Sequence, residues 1–298
     1  MKAVLKFFFV CLFIGSFASC SKTPKDFVKV TGGKIGPEVW ESFFELGLEN
    51  PGSNFSVEVS DFYISKYEVT QKLYKEVVEA DPDVNSTPAY FSKDPVEGEV
   101  QELRPVERIS WYDCLYFCNK LSEKEGLDPV YTIENISRYQ KDKAIKNATV
   151  TADYSKNGYR LPTCAEWVFA ATGGTKFAGN IKFSGSEKLD EIAWTEDNSK
   201  EVSHQVGKKK ANELGIYDMT GNVAEWCWDY LWKEDEFEDQ AYLNYTGPEK
   251  GRYRFIKGGC FVNESAGAYF PLDNNEMFGG IQGLRYYNTG FRIVRNIE

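Results

Sequence analysis

The sequence predicts an α+β protein in which short strands and helices support long irregular stretches. Apolar residues recur over residues 57–64 in the pattern of two short strands, and we expect this strand pair to lead into a helix near residues 70–79. Residues 81–101 are rich in proline and acids and indicate an exposed insertion. Between residues 173 and 221 turn-forming residues are dense, which is typical of loops. The chain therefore combines both element types with much irregular backbone.

Two further helices are predicted from their first turns. Residues 110–113 and 163–166 each place a hydroxyl residue three positions before an acidic one, which is the pattern of a capping box. In such a box the hydroxyl accepts a hydrogen bond from a backbone amide of the first turn, and the acid bonds back to the cap residue. We therefore expect helices that begin near Trp111 and Cys164, with Trp167 packed in the core.

Length and composition fit one large domain and exclude one class of partner. The chain has 298 residues, of which 42% are hydrophobic and 15% aromatic, so it can bury a sizeable core. Its net charge is −10, and about −12 without Lys2 and Lys6 of the N-terminal segment. A field of this sign repels nucleic-acid phosphates. We therefore expect no nucleic-acid partner.

The N-terminal residues predict export and a lipid anchor. The uncharged run 7–19 follows two lysines, has the length of a signal-peptide apolar region, and is shorter than the roughly 20 residues that span a bilayer. Small residues before Cys20 resemble a bacterial lipobox, with Phe17 in place of the commoner leucine. We expect residues 1–19 to be a signal peptide, Cys20 to be lipidated, and residues 20–26 to form a tether to the membrane. The alternative is an ordinary signal peptide cut near the same place.

The other cysteines indicate core packing. Without Cys20 and the cysteine of the signal segment, five cysteines remain, so at least one thiol stays free. Cys114 and Cys118 lie on the apolar stripe of the helix that begins at Trp111, which favours packing over a zinc pair. His204 is the only histidine, and its polar surroundings predict an exposed connection. A single histidine in such surroundings supports neither a histidine-based zinc site nor a Ser-His-Asp hydrolase.

Longer motifs resemble one known family. They are FYISKYEVT at residues 62–70, RPVERISWYDCLYFCNKLSEKEGL at residues 104–127, YRLPTCAEWVFAATGG at residues 159–174 and NELGIYDMTGNVAEWCWD at residues 212–229, followed by KGG and GFR. In this order they resemble the formylglycine-generating enzyme (sulfatase-modifying factor) family. The resemblance implies one domain over residues 27–298, with the irregular, loop-rich α+β fold of the C-type-lectin kind.

The resemblance does not extend to the metal ligands of the family's enzymes. Those enzymes bind copper(I) through two cysteines that follow the Gly-Gly dipeptide, and activate oxygen against a substrate cysteine. Counted without gaps from Gly258-Gly259, the two positions fall on Asn263 and Ala268. Copper(I) selects thiolates, and Cys260 alone cannot provide a two-coordinate thiolate site. We therefore expect no bound copper and no enzymatic activity.

A calcium site is a further expectation. The resemblance implies oxygen ligands from the carboxylates of Asp218 and Glu225 and from the carbonyl groups of Gly221 and Val223. Calcium accepts such a mixed set of oxygen ligands. The alternative is a buried, hydrogen-bonded turn in which Asn222 serves the backbone. The sequence leaves both open.

The segment between KGG and GFR is the candidate binding surface. Residues 260–284 carry no repeat, no periodicity and no paired catalytic residues, and we expect strands at both ends to hold the segment. Aromatic residues supply large rigid contacts and small polar residues adapt their hydrogen bonds, a mixture that suits recognition of a protein or a glycan. The candidate ligand-binding residues are Phe261, Val262, Asn263, Glu264, Ser265, Ala268, Tyr269, Phe270, Asp273, Asn274, Asn275, Phe278 and Leu284.

Three functions remain open. The first is a non-catalytic ligand-binding lipoprotein on the outer surface of a bacterial envelope, which resembles the variable proteins of diversity-generating retroelements. The second is a copper-dependent oxidase, and the third is a structural or assembly lipoprotein. Retroelement mutagenesis of Asn codons cannot yield Glu, Met or Gln, so Glu264, Glu276, Met277 and Gln282 would be fixed positions. The sequence fits a diversified and a fixed segment equally well.

Overall fold

The computed structural model describes residues 24–36, 39, 56–176, 183–231, 240–263 and 279–297. In chain order the strands are β1 (Phe27–Val30), β2 (Gly33–Ile35), β3 (Ser56–Val59), β4 (Phe62–Ser65), β5 (Tyr131–Arg138), β6 (Ile145–Ala152), β7 (Tyr159–Arg160), β8 (Ala224–Tyr230), β9 (Ala241–Leu243), β10 (Arg254–Lys257), β11 (Gly279–Gly280), β12 (Thr289–Gly290) and β13 (Val294–Asn296). The helices are α1 (Gln71–Val78), α2 (Trp111–Lys124), α3 (Cys164–Ala171), α4 (Leu189–Ile192) and α5 (Glu196–Ser199). These short elements confirm the α+β class.

The strands in these ranges form four sheets. One has the order β1-β4-β13-β7, so strands from the two ends of the domain lie on either side of β4. A second has the order β11-β10-β8-β12 and contains the strands that flank the candidate binding segment. The sheet β2-β3-β9 and the hairpin β5-β6 are smaller. The candidate segment is therefore attached to a sheet on both of its sides.

The two strands predicted over residues 57–64 exist, but they do not pair with each other. β3 pairs with β2 and β9, whereas β4 pairs with β1 and β13. All four residues of β4 are buried. A strand buried on both faces belongs inside a sheet, and here both of its edges are taken by β1 and β13. The prediction of a strand pair is therefore wrong in its pairing.

A hydroxyl caps each of the first three helices, but the capping box predicted for α2 does not form, because the Asp113 carboxylate accepts hydrogen bonds from the Ser110 hydroxyl and the Ile145 amide instead. The Thr70 hydroxyl caps α1, and the Ser110 hydroxyl accepts a hydrogen bond from the Asp113 amide at 3.1 Å at the start of α2. At α3 the capping box is complete, with Thr163 and Glu166 each bonding the other's backbone amide, at 3.1 and 2.9 Å. In the described ranges, no helix has both the length and the apolarity needed to cross a bilayer.

Tryptophan and cysteine side chains from α2, α3 and β8 fill much of the core. Trp111, Trp167 and Trp226 are completely buried. Cys114 and Cys118 are also completely buried and are free thiols, which confirms the prediction made from their helical stripe. Burial raises the pKa of both thiols, so they stay protonated and act as small apolar groups.

Candidate ligand-binding site

Four aromatic side chains from three parts of the chain meet at one place, which we call the aromatic surface: Tyr90, Phe91, Phe261 and Tyr287. The rings of Phe91 and Phe261 lie 5.2 Å apart and edge to face. Tyr287 lies 6.0 Å from Phe261 and 5.9 Å from Tyr90. Edge-to-face contacts at these distances are favourable for aromatic rings. Tyr90 is 60% exposed and Tyr287 is 45% exposed, so two large rings face solvent on a support of other rings.

Two exposed aliphatic side chains lie in the loop that carries Tyr287. Ile281 and Leu284 belong to the same loop as Tyr287 and are 37% and 42% exposed. A turn bond of 2.9 Å from the Leu284 amide to the Ile281 carbonyl holds them. Of the seven large apolar side chains exposed in the described ranges, four therefore lie in two adjoining pieces of chain. Such a concentration of exposed apolar groups is common at interaction surfaces and makes this region the candidate site.

Phe261 supports the aromatic surface from below and does not form its outer face. Its side chain is completely buried. Its amide donates to the Asn222 carbonyl at 2.8 Å, and its carbonyl accepts from the Ser199 hydroxyl at 2.7 Å. The prediction that Phe261 contacts the ligand is therefore wrong, because its ring packs between Phe91 and Tyr287.

The structure describes four of the thirteen predicted ligand-binding residues. Leu284 is exposed in the loop that carries Tyr287, while Val262 and Asn263 are half-buried next to Phe261. The others lie outside the described residues and stay predictions: Glu264, Ser265, Ala268, Tyr269, Phe270, Asp273, Asn274, Asn275 and Phe278.

Close contacts fix the chain where it enters and leaves residues 264–278. On the entry side, the Asn263 carbonyl accepts a hydrogen bond from the Glu196 amide at 3.1 Å. On the exit side, Gly280 lies against the ring of Trp226, where an added Cβ would come within 2.0 Å. Only glycine fits there without displacing the indole. Both ends of the segment are therefore anchored on buried parts of the fold.

Asn263, at a predicted copper-ligand position, holds a turn. Its Oδ1 accepts hydrogen bonds from the Cys260 amide at 2.7 Å and from the Cys260 thiol at 3.0 Å, and Asn288 donates to the same sulfur at 3.2 Å. Cys260 is 1% exposed, and burial raises the pKa of its thiol. A buried, protonated thiol between two amides is a poor ligand for copper(I), which binds thiolates. The residues do not fit the family's copper site.

The predicted calcium ligand Glu225 is already fully bonded. Arg292 donates to both of its carboxylate oxygens at 2.6 Å, and the Trp167 indole donates to one of them at 2.7 Å. Glu225 and Arg292 are both completely buried. A guanidinium in this place repels a second cation. In the described part of the chain, no three His, Cys, Asp or Glu side chains are grouped so that they could hold a metal ion.

The neighbouring turn instead has the hydrogen-bonded form. The Asn222 amide oxygen accepts from the His204 amide at 2.8 Å, and its nitrogen donates to Glu68 at 2.7 Å. Gly221 adopts a φ of +78°, and an added Cβ would lie 2.3 Å from the Trp194 carbonyl oxygen. Burial raises the pKa of Asp218 to about 6. Asn222 and Glu225 therefore belong to a buried hydrogen-bonded network. Asp218 Oδ1, however, is buried without a hydrogen-bond partner in the described part of the chain, so the calcium site stays a prediction.

His204 is buried, contrary to the exposed connection that its sequence neighbours predict. Its side chain is 3% exposed and stacks on Trp194 with 3.7 Å between ring centres. One ring nitrogen faces Glu99 at 2.8 Å and the other faces the Ser199 carbonyl at 2.9 Å. Both partners bring acceptor oxygens, so the imidazole is part of a structural network beside the Phe261 turn.

Sequence reasoning missed Tyr90. Residues 81–101 are largely exposed, as predicted, but Val84 and Ala89 are each only 8% exposed and the Phe91 ring packs on Phe261. Within this stretch Tyr90 is the large side chain with the greatest exposure. The adjacent Tyr-Phe pair in a polar, proline-rich stretch was the available signal.

Known proteins resemble the chain over most of its length. A family model described as sulfatase-modifying factor enzyme 1-like domain matches residues 16–297. Chaperone protein LppX of Paenibacillus barcinonensis is 38% identical over 259 residues, which is 78% of this chain and 82% of that protein. The formylglycine-generating enzyme of Thermomonospora curvata is 27% identical over 264 residues, which is 80% of this chain and 83% of that protein.

Among solved structures, Treponema denticola variable protein 1 superposes with a TM-score of 0.73 at 30% identity, covering 91% of this chain and 95% of that one. This similarity confirms the prediction of a formylglycine-generating-enzyme-like fold of the C-type-lectin kind.

Proposed function

Since the chain belongs to the sulfatase-modifying factor enzyme 1-like family, we propose that it is a non-catalytic, lipid-anchored protein of the bacterial envelope that binds its ligand through the aromatic surface. The observation that carries this proposal is the pair of exposed tyrosines, Tyr90 and Tyr287, whose rings contact the half-buried Phe91 and the buried Phe261 beside the ends of residues 264–278. Rigid aromatic side chains on a fixed base lose little entropy on binding and are common anchors of interfaces.

The surroundings of Cys260 support a function other than that of a copper-dependent oxidase. The Asn263 amide stabilises a turn where the family's oxidases place a cysteine, and the nearest thiol, Cys260, is buried and hydrogen-bonded. Names among the relatives agree with this, since one full-length relative is called a chaperone and another, from Bos taurus, is called an inactive formylglycine-generating enzyme.

The envelope location rests on the N-terminal residues. A signal-like run before Cys20 fits lipidation, and residues 20–26 lead directly into β1 (Phe27–Val30). A domain that begins at its first strand so soon after an anchor would sit close to the membrane, on the outer surface if the lipid is in the outer leaflet. Replacement of Cys20 by alanine should abolish incorporation of labelled palmitate, whereas labelling of the variant would contradict the lipobox.

Diversification by a retroelement is a finer proposal for residues 260–284. Treponema denticola variable protein 1, a 30% identical structural neighbour, supports it, as do the fixed contacts at both ends of this segment. A near-copy of the coding segment and a reverse-transcriptase gene beside the gene would support diversification. Their absence would leave a binding protein of fixed sequence.

A second candidate function is holding unfolded polypeptides. The relative at 38% identity is named a chaperone protein, and an exposed surface of Tyr90, Ile281, Leu284 and Tyr287 suits apolar segments of a client chain. This candidate differs from specific recognition in one respect. A holding protein binds many unfolded chains, whereas a recognition protein selects one folded protein or glycan.

Binding can be tested with defined probes. Reduced, carboxymethylated α-lactalbumin serves as an unfolded polypeptide, and an immobilised glycan array serves as the alternative. The double variant Tyr90→Ala/Tyr287→Ala should weaken whichever binding occurs by about tenfold or more. Leu243→Ala is the matched control, because Leu243 is 67% exposed on β9 and is not part of the aromatic surface. Equal loss in both variants, or none in either, would remove the aromatic surface as the binding site.

The non-catalytic part has its own test. The purified protein, with copper(I) supplied, should not convert the cysteine of a sulfatase-motif peptide to formylglycine in a mass-spectrometric assay. Copper-dependent conversion above the level of a heat-denatured sample would overturn the proposal.

A further inference from the structure

One buried carboxylate holds the backbone of the aromatic surface. Glu107 is completely buried. Its Oε2 accepts a hydrogen bond from the Tyr90 amide at 2.8 Å, and its Oε1 accepts one from the Phe91 amide at 2.9 Å. Hydrogen bonds to an ionised acceptor are stronger than those between neutral groups. Glu107 therefore restrains two consecutive residues of the surface, although its own side chain does not reach solvent.

The chain around Tyr90 has little other support. Residues 86–95 form neither helix nor strand, so no ladder of backbone hydrogen bonds fixes them. The Phe91 carbonyl accepts from the side-chain amides of Gln71 at 3.0 Å and Gln101 at 2.7 Å. These bonds hold the far side of Phe91. The Tyr90 amide depends on Glu107 itself.

Two arginines and the two amides oppose the effect of burial on this carboxylate. Burial is the larger effect and raises the pKa of Glu107 to about 7, while the Tyr90 and Phe91 amides and the charges of Arg104 and Arg108 lower it. The Arg104 guanidinium lies 5.1 Å from the centre of the Phe91 ring. The carboxylate, its two charged neighbours and the aromatic surface thus form one connected group.

We propose that Glu107 is the positioning residue of the aromatic surface: its ionised carboxylate holds the Tyr90 and Phe91 amides, and its protonation releases one of them. The meaning of this assignment for binding rests on the proposed function. A protonated carboxyl keeps one carbonyl acceptor and turns a hydroxyl donor towards the second amide, so it cannot satisfy both. Tyr90 therefore loosens as the pH falls below neutral, and binding through the aromatic surface weakens with it.

As the pH rises, the contribution of Glu107 to global stability falls, but its hold on the Tyr90 amide strengthens. These opposite changes distinguish a positioning residue from a residue that only stabilises the fold. The pKa in the folded state lies above the ordinary value of 4.5, so Glu107 contributes less to global stability as the pH rises from about 4.5 to about 7. Over the same window the carboxylate gains its second acceptor for the amides. If Glu107 had only a structural role, the pH would change global stability alone. If it positions the surface, the Tyr90 amide becomes better protected while global stability declines.

Amide hydrogen exchange on the full-length, isotope-labelled chain measures the local effect without any ligand. After correction for the intrinsic exchange rate, protection of the Tyr90 amide should fall about tenfold between pH 8 and pH 6, because the ionised fraction of a group with pKa about 7 falls by roughly that factor between these pH values. The Tyr74 amide, bonded to the Thr70 carbonyl at 2.9 Å inside α1, should not fall in parallel. A parallel fall at Tyr74, or no fall at Tyr90, would overturn the assignment.

Two variants complete the test. In Glu107→Gln, protection of one of the two amides should be low at both pH values and its pH dependence should disappear, while Tyr74 protection reports that the fold is intact. Glu68→Gln is the matched control, because Glu68 is also buried and accepts a backbone amide, that of Val223 at 3.0 Å. It should leave Tyr90 as in the wild type. Equal effects of the two variants on Tyr90 would contradict positioning by Glu107.

A binding measurement then separates this inference from the proposed function. If α-lactalbumin or glycan binding occurs, Glu107→Gln should remove its pH dependence between pH 6 and pH 8. Absence of binding to every probe would count against the proposed function and leave the exchange result as it stands. Binding whose pH profile is unchanged in Glu107→Gln would overturn the positioning role and leave the function.

Discussion

Arg292 donates two hydrogen bonds of 2.6 Å to the carboxylate of Glu225, and neither side chain has any contact with solvent. The partners are 67 residues apart in the sequence, so the pair ties β8 to the chain between β12 and β13. It occupies the place where the family resemblance implies a calcium ligand. The protein's own cation thus neutralises this carboxylate.

Removal of one partner of this pair should be costly. Arg292→Met leaves Glu225 buried without its counter-charge, so the free energy of unfolding in urea should fall by about 3–5 kcal/mol. The exposed pair of Lys29 and Asp61 is the control, with side chains 49% and 43% exposed, and Lys29→Met should cost less than about 1 kcal/mol. Similar losses of unfolding free energy in the two variants would show that the buried pair stabilises the fold no more than the exposed pair does.

Calcium should not change the stability of the protein. Both oxygens of Glu225 accept hydrogen bonds, from Arg292 and Trp167, and the Arg292 charge opposes a second cation at this carboxylate. The melting temperature measured after chelation and again with millimolar calcium should therefore be the same. A rise with calcium that Asp218→Asn abolishes would reinstate the predicted site.

The buried carboxyl of Asp229 should make stability fall towards alkaline pH. Burial raises its pKa to about 7 from the ordinary 3.8, so the folded state keeps a proton that the unfolded chain has lost. This contribution is complete below about pH 3.8 and is lost as the pH rises through about 7. Asp229→Asn keeps an acceptor for the Cys164 amide, now 2.6 Å away, without the charge. Urea unfolding at pH 8 should find the variant about 2–4 kcal/mol more stable than the wild type.

The same comparison at pH 5 provides the check on Asp229. There the folded wild type keeps its proton while the unfolded chain is already ionised, so the advantage of the variant should shrink to roughly half of its value at pH 8. An advantage that is equal at the two pH values would mean that the charge of Asp229 is not its cause.

Asn263 should be replaceable only by a residue that accepts hydrogen bonds. Asn263→Ala removes the acceptor of the Cys260 amide and thiol, and should lower the free energy of unfolding by about 1–3 kcal/mol. Asn263→Asp retains an acceptor in the same position and should lose much less. Equal destabilisation by the two substitutions would show that the turn does not depend on this oxygen.

Phe261 and Tyr287 should behave in opposite ways although their rings touch. Phe261→Ala empties a completely buried site and should cost about 3–5 kcal/mol in unfolding free energy. Tyr287→Ala removes a ring that is 45% exposed and should cost under about 1 kcal/mol while weakening binding. If instead Tyr287→Ala were the more destabilising substitution, its ring would be core and not a contact surface.

Helix starts and core cysteines are predictable from the sequence because their causes are local. The capping box of α3 is complete within the four residues from Thr163 to Glu166. The burial of Cys114 and Cys118 follows from their spacing on α2. The order of the longer motifs supplies the fold, since local periodicity gives no information on how thirteen short strands are arranged.

The site is less predictable because its contacts join distant parts of the chain. His204 stands in a polar stretch, yet it is buried by Trp194 and by Glu99, which is 105 residues earlier. The role of Tyr90 depends on its contact with Tyr287 near the other end of the sequence. Composition marked the region of Tyr90 as exposed, but only the fold shows that it lies beside the candidate segment.

Glycine packing after residue 278 sets a limit on how sister copies of this gene can differ. A Cβ at Gly280 would meet the Trp226 ring, and one at Gly283 would lie 2.1 Å from the Lys146 carbonyl oxygen. Selection should therefore purge almost every amino-acid replacement at these two codons. Among sister copies, these two codons should therefore be invariant, while the exposed Ile281 and Leu284 beside them can be replaced.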